Sequence, residues 1–441
     1  METERQDLYG KQLARMIGCE TISVQGIHGG EEFDHFRHVL REEFPGVFSV
    51  MEESLFEGSI LLRWRGREEH RLPILLMNHH DVVEATGTWK YPPFSGAIAE
   101  GKVWGRGALD TKGGLFAMLR AAEELIAEGF TPMQDVYFVS ACTEETDGYG
   151  GKRIAEHLQS LGLTFDLILD EGGMILYDPI GGADGEFAMI GVGEKGFMNL
   201  KFTARSAGGH ASAPGKDTPL VRLGKFMAEA ETGKIFPAKL SPAVKEMLSR
   251  FAPTMKGVMK LACGHMGLFG GLLKKVMPAV SPTAGAMLKT TLAFTMCGGS
   301  AGANVLPGEA FVVGNMRYSH HQGRDASLEA ITRLAASYDI ETQVITDGGG
   351  SLLTDHREKG FRFLEQTVEE IFPGVRSVPY VTTGASDCRY FGGLSCNCLR
   401  FAPFRIDKQQ LASVHGEDEN VDLNTLPAAV DFYRRVISRW Q

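Results

Sequence analysis

Three apolar runs in the first third of the chain each deliver a polar side chain at or just past their end. PILLMNHHDVV carries His79 and Asp81, WGRGALDTKGG carries Asp110, and VYFVSACTEETDG carries Glu144 and Glu145. His79 and Asp81 lie two apart, so in an extended strand they point to one face. There Asp81 can accept a proton from the far ring nitrogen of His79, which fixes the ring for metal binding. Asp110 sits in a glycine-rich turn, and its two oxygens allow one side chain to bridge two cations. Glu144 and Glu145 are adjacent and project differently, so one can bind a cation while the other faces water. Asp170 closes the apolar run FDLIL, and SVHGEDE supplies a late imidazole, His415. Five candidate ligands and one free carboxylate suit two zinc ions that share a bridging Asp and a water. Each residue alone has a plain structural reading: a helix N-cap for Asp170, a solvated face for paired glutamates, a structural ring for His79. Their number and order argue for the metal site.

The chemistry such a set performs is hydrolysis. Two divalent ions acidify water and polarise a carbonyl. A carboxylate beside that water, here Glu144, takes its proton and passes it to the leaving nitrogen. The oxyanion needs a further donor, and His210 in SAGGHASAP is the candidate.

Something must hold these residues together. Helical spacing covers 4–17 and 31–44, and strand-like runs follow near 47–52 and 59–65. The run 72–78 is continuously apolar, as in a strand covered on both faces. A helix over 113–129, a strand over 135–141, a helix over 151–161 and a strand over 165–169 come next. This alternation predicts an α/β fold with a mainly parallel central sheet flanked by helices, whose ligands bind beyond the carboxyl ends of the strands. The glycine-dense tract 181–196 reads as turns and a hinge. Within it GVGEKG fits G-x-G-x-x-G, and the preceding EFAMI could be a strand, but a nucleotide loop must open a helix, and FMNLKFTARS alternates as a strand does. From 194 to 347 the pattern is strand, helix (217–232), a Met-rich helical insertion (242–287), strands at 289–296 and 309–318, helix (325–338) and strand (341–346). After GGG at 348–350 the first texture resumes, with a helix at 358–371, a strand at 377–382 and a helix from 426 to 439. The expected layout is therefore a catalytic domain of 1–193 and 348–441 interrupted by an inserted α+β lid or dimerisation domain, 194–347.

The 441 residues exceed what one hydrophobic core usually serves, in agreement with two domains. A formal charge of -10 argues against a nucleic-acid surface and against an anionic membrane. No leader-like N-terminus and no membrane span are recognisable, and the seven cysteines are scattered, so a cytoplasmic protein with reduced thiols is expected.

With these residues in place, the chain resembles the di-zinc metallopeptidase family twenty, which includes carboxypeptidase S, aminoacylase, glutamate carboxypeptidase and succinyl-diaminopimelate desuccinylase. The resemblance runs over nearly the whole chain. It rests on His79-x-Asp81, the Glu144-Glu145 pair, LDEGG at 169–173, GGHASAP at 208–214, NVLP at 304–307, TGASD at 383–387 and the late His415. The tract WKYPPFSGAIAEGKVWGRGALDTKGG looks most like the carboxypeptidase S and N-acyl-amino-acid hydrolase branch. The resemblance implies that His79 and Asp170 bind one zinc, Glu145 and His415 the other, and Asp110 bridges them. Cobalt and manganese share such ligands. It implies Glu144 as general base, Asp81 as the residue orienting His79, and a cis peptide after Asp110. Asn304 and Arg317 match family residues that hold a substrate carboxylate, and Gly384 and Ser386 lie in a substrate-binding tract. In many members a homodimer forms through the inserted domain and supplies the His210 counterpart from the partner subunit. The implied activity is cleavage of an amide bond next to a free carboxylate, in small peptides or N-acyl amino acids. A desuccinylase or deacetylase, a di- or tripeptide aminopeptidase, and a non-catalytic metal-containing binding protein are the alternatives. Two positions depart from the pattern: Glu84 replaces the usual Pro after D-V-V, and Asn315 replaces an acidic residue two before Arg317.

Overall fold

A computed structural model describes residues 2–232, 234–280 and 282–440. The chain divides into two compact units. The first comprises 1–193, 352–380 and 386–441; the second comprises 194–351 with the short segment 381–385. The return to the first unit thus comes four residues later than the glycine signal at 348–350 suggests, and the chain revisits the second unit once more.

The first unit is an α/β layer structure. Four strands form its parallel centre, in the order Val136–Ala141, Ile74–His79, Leu167–Asp170 and Cys398–Arg400. The first three are wholly buried, which explains their unbroken apolar sequences. The hairpin of Glu52–Phe56 and Ser59–Trp64 extends the sheet antiparallel on one side. Glu186–Glu194, Ile175–Tyr177 and Arg405–Ile406 extend it on the other, and Arg376–Thr382 pairs with Glu186–Glu194. Helix Glu31–Glu43 buries Phe33, Phe36, Val39 and Leu40, the spacing of one helical face. Helix Lys112–Ala127 is buried along most of its length, and its contacts with the last helix, Leu426–Arg439, are extensive. Two glycines follow Lys112 in the first turn, where space is tight. A Cβ on Gly113 would stand 2.2 Å from the Ala108 carbonyl oxygen, and one on Gly114 would stand 2.4 Å from Asn78 Oδ1.

Two local expectations are corrected. Residues 45–50 form a short helix, with the strand beginning at Glu52. Pro45 occupies the first helical turn, where its missing N–H costs nothing. In the tract read as turns and a hinge, the strand possible at EFAMI continues through the glycines as Glu186–Glu194, buried from Phe187 onward. Its Gly191 pairs with Arg400, whose Cβ lies 3.0 Å from where a Gly191 Cβ would be. The glycine there serves close strand approach, not a turn.

The second unit is built on an antiparallel sheet in the order Thr291–Gly298, Glu309–Tyr318, Gly196–Arg205 and Ile340–Gly349. Met198, Leu200, Phe202 and Ala204 alternate onto one face. They pack with Leu223 and Phe226 of helix Pro219–Glu231 and with Ile331, Leu334 and Ala335 of helix Arg324–Ser337. Between these elements lie the helices Pro242–Phe251, Gly257–Gly264, Met266–Val280 and Pro282–Ala286. No helix among the described residues is long and apolar enough to cross a membrane.

Candidate metal centre

The parallel strands of the first unit place their carboxyl ends at one edge, and the candidate ligands stand there. His79 is the last residue of its strand, Asp170 the last of its own, and Glu144 and Glu145 follow the end of Val136–Ala141. Asp110 reaches the same place from the loop before helix Lys112–Ala127. Thr111 stitches that loop to the strand: its hydroxyl donates to the His79 carbonyl (2.9 Å) and accepts from the His79 N–H (3.2 Å). The peptide between Asp110 and Thr111 is cis.

Donor atoms of His79, Asp110 and Glu145 all lie within 4.8 Å of one another. Asp110 joins the two imidazoles. Its Oδ1 lies 3.0 Å from His79 Nε2 and its Oδ2 lies 3.0 Å from His415 Nε2, which is also 3.1 Å from Glu145 Oε1. The exposed His415 has φ 60°, a left-handed conformation uncommon for a non-glycine residue. Asp170 is buried; its Oδ2 accepts the Cys388 N–H (2.9 Å) and its Oδ1 the Glu171 N–H (2.8 Å).

Asp81 does more than the sequence suggests. His79 Nδ1 lies 2.9 Å from the Asp81 backbone carbonyl and 3.4 Å from its carboxylate. The backbone is therefore the nearer acceptor, leaving Nε2 directed at Asp110. The Asp81 carboxylate accepts the backbone N–H of Glu144 at Oδ1 (3.1 Å) and of Glu145 at Oδ2 (3.0 Å). One buried carboxylate thus fixes the turn that presents both glutamates. Glu419 plays a matching part on the other side. It is fully buried, accepts the N–H groups of Leu109 (2.8 Å) and Asp110 (3.1 Å) at Oε1, and accepts Arg106 Nη1 (2.8 Å) and the Gly107 N–H (3.1 Å) at Oε2. Sequence reasoning missed Glu419, which stands among Glu417 and Asp418 with nothing in its spacing to single it out.

The charges are crowded. Burial raises Glu144 well above the ordinary carboxyl range, and burial likewise raises Glu145 and Glu171. Burial pushes Asp387, which also received no role from the sequence, up to about 8. Burial also pushes on Asp110, but hydrogen bonds from His415 and His79 outweigh it and hold this carboxyl below its usual range. His415, bonded to Asp110 and Glu145, rises to about 10. Buried carboxyls that cannot all ionise, around two imidazoles bridged by one carboxylate, are the environment a divalent cation would neutralise. The nitrogen and oxygen donors match the preferences of zinc and its neighbours in the first transition row.

His210, Asn304 and Arg317 belong to the second unit. His210 is exposed; its Nδ1 lies 2.7 Å from Ser212 Oγ, and its backbone pairs with Val305. Asn304 is exposed and accepts the Ala211 N–H on its carbonyl (2.9 Å), so it borders the His210 strand. Arg317 is half-buried; its Nε donates to Asn315 Oδ1 (3.0 Å) and its guanidinium lies 4.8 Å from the centre of the Phe197 ring. Gly384, in 381–385, is exposed, and Ser386 is a buried N-cap of the short helix Asp387–Phe391 in the first unit.

The chain is similar to known proteins over most of its length. The chain is 29% identical over 444 residues to a probable carboxypeptidase S-like 2 of Dictyostelium discoideum, covering 97% of this chain and 84% of that protein. It is 31% identical over 409 residues to the human N-fatty-acyl-amino acid synthase/hydrolase PM20D1, covering 91% of this chain and 81% of that one. Among solved structures, the M20 family metallo-carboxypeptidase Sso-CP2 of Sulfolobus solfataricus superposes with a TM-score of 0.72 at 17% identity, covering 97% of this chain and 98% of that one. Human carnosine dipeptidase 1 gives 0.64 at 14% identity, covering 98% and 96%; both show the fold. The model of peptidase family M20/M25/M40 matches residues 75–439, from the first buried strand through the last helix, and the chain belongs to that family of metal-dependent hydrolases.

Proposed function

We propose that the chain hydrolyses an amide bond next to a free carboxylate, in N-acyl amino acids or at the C-terminus of small peptides, with Glu144 as general base. The observation that carries this reading is the pair of hydrogen bonds from Glu144 and Glu145 to Asp81. They fix the turn from which Glu145 meets His415 and Glu144 stands beside Arg389 (3.9 Å), left for proton transfer.

His79 and Asp170 would hold one zinc ion, Glu145 and His415 a second, with Asp110 between them. When bound, the ions supply Lewis acidity at the scissile carbonyl and neutralise the crowded carboxylates. Glu144 accepts a proton from the attacking water and delivers it to the leaving nitrogen. Its raised affinity for protons suits both halves of that transfer. Arg317 binds the substrate carboxylate through its planar fork, with Asn304, Gly384 and Ser386 completing the substrate contacts. His210 donates to the oxyanion, from the partner subunit of a homodimer. The human relative is named for N-fatty-acyl amino acids, which favours an acylated amino acid over a free amino terminus as substrate. A cytoplasmic setting fits the seven free cysteines.

Replacing Glu144 with Gln keeps the shape and removes the base. Turnover of a panel of N-acyl amino acids and blocked dipeptides is expected to fall by about 10²–10⁴-fold, with metal content unchanged. Unaltered turnover would remove Glu144 from the mechanism. Equal cleavage of substrates with free and esterified carboxylates would remove Arg317 as a clamp.

A further inference from the structure

The charge of the chain is unevenly distributed. Between Glu246 and Glu309 there is no Asp or Glu, while Arg250, Lys256, Lys260, Lys274, Lys275 and Lys289 all fall there, in a protein of net charge -10. The whole-chain charge predicts no attraction to an anionic surface; this segment reverses the sign locally. It contains the helices Gly257–Gly264 and Met266–Val280.

The same helices present apolar side chains to solvent. Val258 is 69% exposed, Leu261 56%, Leu268 83% and Leu272 44%, and Leu268 is the most exposed large apolar side chain described. Leu268, Leu272 and Lys275 follow at helical spacing on the face opposite the buried Leu273 and Met277. Lys256, Lys260 and Lys274 are exposed beside them. Hypothetical Cβ atoms on Gly264, Gly267 and Gly271 would meet nothing within 4 Å, so both helices are open to solvent at these glycines too.

We propose that this two-helix face is a docking surface for an anionic lipid bilayer, on which the helices lie parallel to the membrane plane. Leucines enter the headgroup–acyl boundary while the lysine stems cover apolar surface and keep their ammonium groups among lipid phosphates and carboxylates. A second copy of the chain is the poorer occupant. A two-fold contact would set the same cations against each other with no carboxylate in the segment to answer them. Lysine is also depleted from protein–protein interfaces, whereas basic residues flanking exposed apolar ones mark membrane-surface helices.

Co-sedimentation of the full-length protein with vesicles tests this. Partition onto phosphatidylcholine vesicles containing about 30% phosphatidylserine is expected, falling steeply between about 0.05 and 0.5 M salt, with little onto phosphatidylcholine alone. Lys274→Ala/Lys275→Ala is expected to weaken partition about thirtyfold. Lys274→Arg/Lys275→Arg retains it, and Leu268→Gln/Leu272→Gln loses it. All three variants should keep the melting temperature and turnover of the parent. Equal sedimentation with and without anionic vesicles would overturn the proposal, as would Ala and Gln variants that bind like the parent. So would a solution dimer that Leu268→Gln/Leu272→Gln converts to monomer, which would make the face an interface between copies.

Discussion

The turn bearing Glu144 and Glu145 and the strand bearing His210 are both short polar stretches to which we assign chemistry, yet they are held in opposite ways. The first is fixed from inside the protein. Asp81, fully buried, accepts both glutamate N–H groups, and Thr143 accepts the Gly150 N–H on its hydroxyl and the Gly148 N–H on its carbonyl. The second is an exposed two-residue strand paired only with Val305–Leu306, and His210 rests on its own neighbour Ser212. A metal centre must hold several ligand atoms to within a fraction of an ångström, which demands buried partners for each ligand. A group that meets substrate must stay open to it. On the proposed reading, the first unit holds the cation site and the second supplies side chains that meet the substrate.

Variants can break this contrast. On the exposed side, His210→Ala is expected to lower kcat by about 10²–10³-fold while leaving metal content intact; loss of metal with activity would place His210 on the wrong side of the comparison. On the buried side, Asp81→Asn turns a carboxamide donor toward one of two backbone N–H groups. Metal affinity, read by competition with a chelator, is expected to weaken about 10–100-fold, and excess zinc should restore part of the turnover. Arg317→Met is expected to raise KM for carboxylate-bearing substrates about tenfold or more with a smaller change in kcat, and Arg317→Lys to fall between, because an ammonium lacks the bidentate fork. An equal effect on esterified substrates would assign Arg317 to the sheet instead of the substrate.

What could be read in the sequence follows the same division. His79, Glu145 and Asp170 were legible as candidates because buried parallel strands are written as unbroken apolar runs, each ending at or just before a polar residue; Asp110 stood out by its glycine-rich turn. Asp81 was legible as a partner of His79, but its grip on the glutamate turn is a contact between residues more than sixty positions apart, which no local pattern encodes. Glu419 was hidden for the same reason: three acids stand together, and only the fold shows that one is buried under the Asp110 loop. The strand Glu186–Glu194 was obscured by its glycines, of which Gly191 admits Arg400. The short helix at 45–50 is set by Pro45 against a run of residues that favour strands.

The central claim is that side chains from opposite ends of the chain enclose one pair of cations. Anomalous X-ray scattering at the zinc edge, from crystals of the metal-loaded protein, tests it directly. Two peaks are expected, on either side of the Asp110 carboxylate, with His79 and Asp170 at one and Glu145 and His415 at the other. Peaks elsewhere, or none among these five residues after loading, would contradict the account.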